Sequence, residues 1–314
     1  MNFKASIRSI SMAAAAAVAL TAVADANAAC SVFNTKAKTK YPVVLVHGFI
    51  GFDNILGAVN YFYQIPGAIE DACGKVYIAQ VNPSQTTEYR GEELNKQLDA
   101  WKAAAPWYAP IKKFNLIGHS HGGPTVRYAA GTRTDIASVS SMSGTHYGSK
   151  VADKILAGTT PDGQFDKLAT GGLQLIGWLT GATDYKNADL KTALVALSSP
   201  GAAAFNAKFP NGANAEVQGG QYFYSYAGNK VKTNAWDISD ALLAYTGGPD
   251  YYGTEANDGL VSPREAKWGK QIDMALPWNH LDEINQVLGS IGEGAPDPKA
   301  YYVTMINRLK NKGL

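Results

Sequence analysis

The sequence predicts an α/β fold: a mostly parallel central sheet with helices on both faces. Three observations carry this. Short β-branched runs alternate with segments of helical apolar spacing. A glycine-flanked turn, GHSHGG at 118–123, sits between the strand-like KKFNLI and the helix-like GGPTVRYAA. Finally, both HGF at 47–49 and GHSHG close strand-like runs. In an open α/β sheet, turns at the carboxyl ends of strands are where ligands bind.

The chain has 314 residues, 46% hydrophobic and 17% charged, enough for one large domain with a substantial core. Residues 1–29 read as a secretory signal peptide rather than as part of that core. Lys4 and Arg8 precede the apolar stretch AAAAAVALTAV, and ADANAA supplies small residues for cleavage. The apolar stretch falls short of the roughly 20 residues a membrane span needs. A secreted protein is expected, exported through the periplasm, with the mature chain at 30–314. Asn27, three residues before Cys30, argues against a lipid-anchored cysteine. The formal net charge is +2, and loss of Lys4, Arg8 and Asp25 lowers it by one. A near-neutral chain makes no case for nucleic acid or for electrostatic membrane binding. Cys30 and Cys73 are the two cysteines, and export permits a disulfide between them.

The expected elements follow in order. YPVVLVHGF (41–49) is a buried strand, and KVYIAQV (75–81) a second. VNYFYQIPGAIEDAC between them has helical character, with Pro66 expected near a break. Glu92 to Lys102 is helical through Leu94, Leu98 and Trp101. KFNLIG is a third strand and IASVSSMSG (136–144) a fourth. QYFYSYAGN (221–229) resumes strand character. Residues 163–182 combine Leu168, Leu173, Leu175, Ile176, Trp178 and Leu179 with five glycines. Glycines weaken a rigid helix, so a mobile apolar lid is expected there, within an inserted cap region at about 150–215. There is no internal repeat.

Ser120 occupies the centre of G-x-S-x-G in the strand–turn–helix context that exposes a nucleophile. A serine hydroxyl needs a base to take its proton, and the usual base is a histidine oriented by a carboxylate. In this context the chain order is Ser, then acid, then His. Of five histidines, His47, His119 and His121 precede or flank the serine. His146 leaves no room for a later strand carrying the acid. His280 remains as the expected base. Asp237, Asp240, Asp250, Asp258 and Asp273 all lie between Ser120 and His280, and Asp258 in ANDGLVS is favoured by its turn ahead of the His280 segment. The backbone N–H groups of His121 and Phe49 are the expected oxyanion donors.

The chain resembles the secreted true lipases of Pseudomonas and related proteobacteria, the bacterial family I lipases. The resemblance rests on YPVVLVHGFIGFDNILG, EYRGEELNKQL, FNLIGHSHGGPTVRYAA, AAAFNAKFPNG, WDISDALL, ANDGLVS and NHLDEINQVLGS, which run in family order over nearly all of 41–314. It implies an α/β-hydrolase fold with a helical lid near 163–182. It implies a triad of Ser120, Asp258 and His280, and oxyanion donors at Phe49 and His121. It also implies one structural Ca2+, with Asp237 and Asp282 as carboxylate ligands and Gln286 and Ser290 as carbonyl ligands. Calcium favours such oxygen donors. The implied activity is triacylglycerol hydrolysis at lipid–water interfaces; the alternative is a carboxylesterase or extracellular polyester depolymerase using the same triad. The implied partners are a lipid or other ester substrate, a transient lipid interface and a folding chaperone, with the enzyme itself a monomer. GLVSPREAKWG lacks the cysteine that some relatives carry after the acid, which sets it apart at that loop.

Overall fold

A computed structural model describes residues 34–49, 61–158 and 190–314. The expected signal peptide, Cys30 and the expected lid at 163–182 lie outside these residues. Among the described residues a seven-stranded sheet runs in the order β2-β1-β3-β4-β6, with β5 and β7 both paired to the far edge of β6. The strands are β1 (Val43–Val46), β2 (Val76–Ala79), β3 (Phe114–His119), β4 (Ile136–Met142), β5 (Val217–Gln218), β6 (Gln221–Gly228) and β7 (Lys270–Leu276). All pairings are parallel except that of β5 with β6. This is the expected α/β architecture.

The central strands β1, β3 and β4 are buried on both faces, and β1 reads as a continuous apolar run. Successive β1 side chains alternate between two cores. Val43 and Leu45 join Ile65, Ile69, Tyr224, Tyr226, Trp278, Tyr302 and Ile306 on one side. Val44 and Val46 join Leu94, Leu98, Leu116, Val126 and Val139 on the other. Helices α1 (Ile65–Asp71) and α8 (Pro298–Asn311) cover the first face, and α2 (Thr87–Ala104) and α3 (Gly122–Thr132) the second. After β4 come α4 (Lys150–Leu156), α5 (Leu190–Leu197), α6 (Ser199–Lys208) and, beyond β6, α7 (Asp240–Thr246). Among the described residues no helix is long and apolar enough to cross a membrane.

Several elements depart from expectation in instructive ways. Pro66 does not break a helix; it stands in the first turn of α1, where its missing N–H costs nothing. Helix α2 starts five residues earlier than Glu92, because Thr86 caps it by accepting from the Tyr89 N–H. β7 is short of burial at its start, where Lys270 and Gln271 are exposed, but Ile272, Met274 and Leu276 alternate toward the core, and its pairing with β6 fixes it as a strand. Cys73 is disulfide-bonded.

The joint between β3 and α3 is backbone packed on backbone. A Cβ on Gly118 would lie 2.2 Å from the carbonyl oxygen of Gly122. A Cβ on Gly122 would lie 2.2 Å from the carbonyl oxygen of Val46 in β1. The helix therefore starts directly against the sheet. Gly118→Ala must push α3 away from β3, with an expected loss of about 1–3 kcal/mol in stability. Urea unfolding checks this; a midpoint equal to that of the parent would contradict the close packing.

Candidate functional site

Ser120 terminates β3 at φ 56°, in the left-handed region that a non-glycine residue enters only under constraint. Its N–H is held by the Met142 carbonyl at 3.0 Å, and its own carbonyl accepts from the Gly123 N–H at 2.9 Å. The turn is thus fixed between β4 and the start of α3. The Ser120 side chain lies against Gly48 of the HGF loop: a Cβ on Gly48 would fall 2.7 Å from the Ser120 Cβ and 3.1 Å from its Oγ. Only glycine leaves that approach open, which places the Phe49 segment beside the serine.

His280 and Asp258 are brought together as the chain order predicts. The His280 Nδ1 lies 2.8 Å from the Asp258 Oδ2, and the His280 N–H donates to the Asp258 carbonyl at 2.9 Å. The other Asp258 oxygen accepts from the N–H groups of Leu260 and Val261 at 2.9 and 2.7 Å. Asp258 is therefore both a turn former and the partner of His280. The His280 ring lies 4.5 Å, centroid to centroid, from that of His119, the residue before Ser120. That contact brings the Asp258–His280 pair to the serine turn. Among the other acid candidates, Asp237 and Asp240 bond Asn279, and Asp273 pairs with Tyr301.

The remaining histidines serve as packing. His146 sits between Ser141 Oγ at 2.9 Å and Arg127 Nη1 at 3.1 Å, and burial with the Arg127 charge holds it well below the usual histidine range. Arg127 stacks on Trp268, 3.2 Å from the ring centroid, and donates to the Phe209 carbonyl at 2.6 Å, tying α3 to the chain after α6. His47 is pulled down to about 3 by burial and then by Arg90. Its neutral ring donates from Nδ1 to the Gly48 carbonyl (2.9 Å) and accepts at Nε2 from Val81 N–H (3.3 Å). His121 Nε2 meets Thr87 Oγ1 at 2.9 Å, and burial likewise keeps that ring neutral.

Two features escape sequence reasoning. The first is Arg90, fully buried, with carbonyl and hydroxyl oxygens as its hydrogen-bond acceptors and the Glu93 carboxylate acting on it only through space. Its guanidinium donates to the His47 carbonyl at 2.5 Å, the Asn82 carbonyl at 3.0 Å and Thr125 Oγ1 at 3.1 Å. It anchors the carbonyl just ahead of Gly48 and Phe49. Burial lowers Arg90 to about 9, which leaves it charged at neutral pH. The second is a buried polar cluster beneath the site. His119 bridges the Tyr61 hydroxyl (2.6 Å) and the Glu283 carboxyl (3.0 Å). Glu283 also accepts from Ser143 Oγ at 2.6 Å and Gly228 N–H at 2.8 Å. Burial pushes Glu283 well above the carboxylate range, reinforced by Asp258, and pushes His119 well below the histidine range. Burial thus disfavours charge on both partners of the His119–Glu283 hydrogen bond. A signal for Arg90 existed in EYRGEEL, a segment with no motif chemistry of its own.

Of the four expected calcium ligands, Asp237 and Asp282 both bond Asn279, Gln286 donates its N–H to the Leu281 carbonyl at 3.0 Å, and Ser290 donates its N–H to the Val287 carbonyl at 3.1 Å. Asn279 Nδ2 bonds Asp237 Oδ2 at 3.0 Å, and Asp282 Oδ2 accepts from the Asn279 N–H at 3.3 Å. Asp282 does not cap a helix from outside; a 3-10 turn starts on Asp282 itself. Its Oδ1 is buried without a hydrogen-bond partner among the described residues.

Similarity to known proteins fixes the family. No protein-family model matches the chain. A triacylglycerol lipase of Vibrio cholerae is 39% identical over 290 residues, 88% of this chain and 90% of the relative. One of Burkholderia plantarii is 33% identical, covering 96% and 94%. The chain belongs to the bacterial triacylglycerol lipases. Lipase 1 of Pelosinus fermentans, at 16% identity, shares the fold with a TM-score of 0.64 over 87% of this chain and 99% of that one. The enzyme is thus an α/β-hydrolase and a carboxylic ester hydrolase.

Arg90→Ala should release the His47 carbonyl and let the Gly48–Phe49 segment shift from the serine. Misplacement of this kind costs about 10- to 100-fold in turnover. Steady-state kinetics on a soluble ester should show the loss mainly in kcat, with partial recovery in Arg90→Lys. An unchanged kcat in a folded variant would remove Arg90 from the site.

Proposed function

We propose that this enzyme is a secreted triacylglycerol lipase whose acyl transfer runs through Ser120, His280 and Asp258. The observation that carries it is the 2.8 Å Asp258–His280 pair, its imidazole in tilted ring contact with His119, the residue before a serine held at positive φ. Ser120 Oγ attacks the ester carbonyl carbon as His280 Nε2 takes its proton. Asp258 fixes the imidazole tautomer and stabilises the imidazolium that forms. The Phe49 and His121 N–H groups receive the oxyanion. The tetrahedral intermediate collapses, the C–O bond to the alcohol breaks, and His280 returns the proton to that alcohol. Water then repeats the sequence on the acyl-enzyme and releases the fatty acid.

Residues 1–29 serve as the export signal in this reading. The disulfide at Cys73 agrees with an oxidising destination. A dedicated chaperone belongs to the same proposal on the strength of the family resemblance alone.

The residues also suit one calcium ion, held by the Asp237 and Asp282 carboxylates and the Gln286 and Ser290 carbonyls. Three features support the fit: the orphaned Asp282 Oδ1, the crowding of Asp237 and Asp240 on Asp282, and three non-glycine residues at positive φ, Asn285, Val287 and Leu288. When bound, the cation would neutralise buried carboxylates and brace the chain after His280. Its role would be structural.

Turnover of a long-chain triglyceride emulsion should exceed that of a soluble short ester, and Ser120→Ala should abolish both by at least about 10⁴-fold while the fold persists. Equal or lower rates on the emulsion, with high rates on polyester film, would replace the lipid by a polymer substrate. Residual full activity in Ser120→Ala would end the nucleophile assignment.

Without an ion, burial raises Asp282 to about 7, above its unfolded value. That contribution to stability is present at low pH and lost as pH rises through about 7. Calcium binds the ionised form, so its benefit grows over the same range. EDTA should therefore lower Tm, and calcium should restore it by more at about pH 8 than at about pH 5. The gain is about 2.7 kcal/mol when calcium is about 100 times its Kd. Identical Tm values with and without calcium at both pH values would remove the site.

A further inference from the structure

Glu265 is a buried carboxyl group, 1% exposed, that no catalytic step uses. Its Oε2 accepts from the Ser262 N–H at 2.8 Å and lies 3.1 Å from the Tyr252 hydroxyl. Its Oε1 accepts from the Lys150 N–H at 3.1 Å, and its backbone carbonyl accepts from the Tyr147 N–H at 3.0 Å. Arg264 Nη2 stands 4.0 Å from Oε1. One residue thus joins the loop after Asp258, the helical turn Pro249–Tyr252 and the start of α4.

The start of α4 shows what this joint releases. Ser149 holds the position before the helix where a serine ordinarily caps, yet its hydroxyl caps none of the N–H groups of α4. Glu265 takes the Lys150 N–H instead. Ser149 Oγ is left to donate to the Leu260 carbonyl at 2.7 Å. The Tyr252 hydroxyl donates to the same carbonyl at 2.6 Å. Both lone pairs of one oxygen are therefore taken.

That carbonyl belongs to the same peptide group as the Val261 N–H, which donates to Asp258 Oδ1 at 2.7 Å. A peptide group is planar, so its carbonyl and its N–H turn together. Fixing the carbonyl from outside fixes the N–H aimed at Asp258. The Leu260 N–H reaches the same Oδ1 at 2.9 Å, and the Val261 carbonyl accepts from the Asp258 N–H at 3.0 Å. A carbonyl bonded twice also polarises its peptide and strengthens the N–H as a donor. With Oδ1 held in this way, Oδ2 meets His280 Nδ1 at 2.8 Å.

We propose that Ser149 and Tyr252 are positioning residues for Asp258: they set the Leu260–Val261 peptide, which orients the carboxylate toward His280, and Glu265 braces both. This rests on the triad proposed above.

Tyr252→Phe keeps the ring and removes only the hydroxyl; Ser149→Ala removes the second donor. On p-nitrophenyl butyrate each should lower kcat about tenfold and leave KM unchanged. The low-field Nδ1–H proton resonance of His280, identified by its loss in His280→Ala, should shift or broaden in both. Tyr251 packs in the same buried cluster, and among the described residues its hydroxyl bonds no group of this loop. Tyr251→Phe should therefore leave kcat and the resonance at parent values. In an Asp258→Asn background, Tyr252→Phe should cost nothing further, because the carboxylate it orients is gone. Ser149→Ala carries the test by itself should Tyr252→Phe not fold. Parent kcat with an unmoved resonance in the folded variants would overturn the proposal. So would an equal loss in Tyr251→Phe, or a further loss of the same size on top of Asp258→Asn, since either marks general loosening. Unchanged turnover in Asp258→Asn would overturn the triad reading and this inference with it; a large loss there beside parent-like Tyr252→Phe and Ser149→Ala overturns this inference alone.

Discussion

The contact on which the site depends is backbone against backbone at the end of β3. Gly118, Gly122 and the Val46 carbonyl meet without an intervening side chain. That contact brings α3 directly up to the sheet and forces Ser120 into the left-handed region. The same closeness sets Gly48 against the serine. Serine turn, adjoining loop and helix start therefore follow from one steric constraint. A single methyl group there would disturb all three.

Below this turn the protein tolerates a concentration of buried polar groups that a plain core would not. It does so by keeping most of them neutral and hydrogen-bonded. His119, Tyr61, Ser143 and Glu283 form a cluster in which burial suppresses charge on the histidine and the carboxyl. Arg90 and Arg127 are the charged exceptions. Each is met by carbonyl oxygens, and Arg127 also by an aromatic face, so that charge is spread over dipoles instead of a counter-ion. These arginines link segments far apart in sequence, Arg90 to the His47 loop and Arg127 to Phe209. Removing either leaves buried acceptors unpaired, which costs more than the bond alone.

The central sheet was legible from β1, whose Val43–Val46 run is apolar and buried throughout, and from β-branched or aromatic residues within β2, β3, β4 and β6. β7 was less so, since it is an edge strand whose first residues face water. Pro66 reads as standing near a break, and α1 does begin beside it, after the bends and turns at 61–64; that it opens a helix rather than interrupting one is decided by the turn. The Thr86 cap was similarly silent, as one threonine among polar residues becomes a cap only when the helix behind it exists. At the site, Ser120, Asp258 and His280 were readable from a motif and a chain order. Arg90 and Glu283 were not, because their importance lies in what they touch across many tens of residues.

The sequence by itself determined the α/β class, the serine turn and the chain order Ser120, Asp258, His280. These are local patterns: burial period, glycine placement and spacing along the chain. Tertiary structure decided that Asp258, among five aspartates, meets the His280 ring, while Asp237 and Asp240 stop at Asn279 beside it. It decided that His146 and His121 are structural, since burial and Arg127 or Thr87 claim their rings. It also decided that Glu265 is buried against Ser262, Tyr252 and Lys150. Burial of a carboxyl group is a property of packing, and no pattern along the chain encodes it.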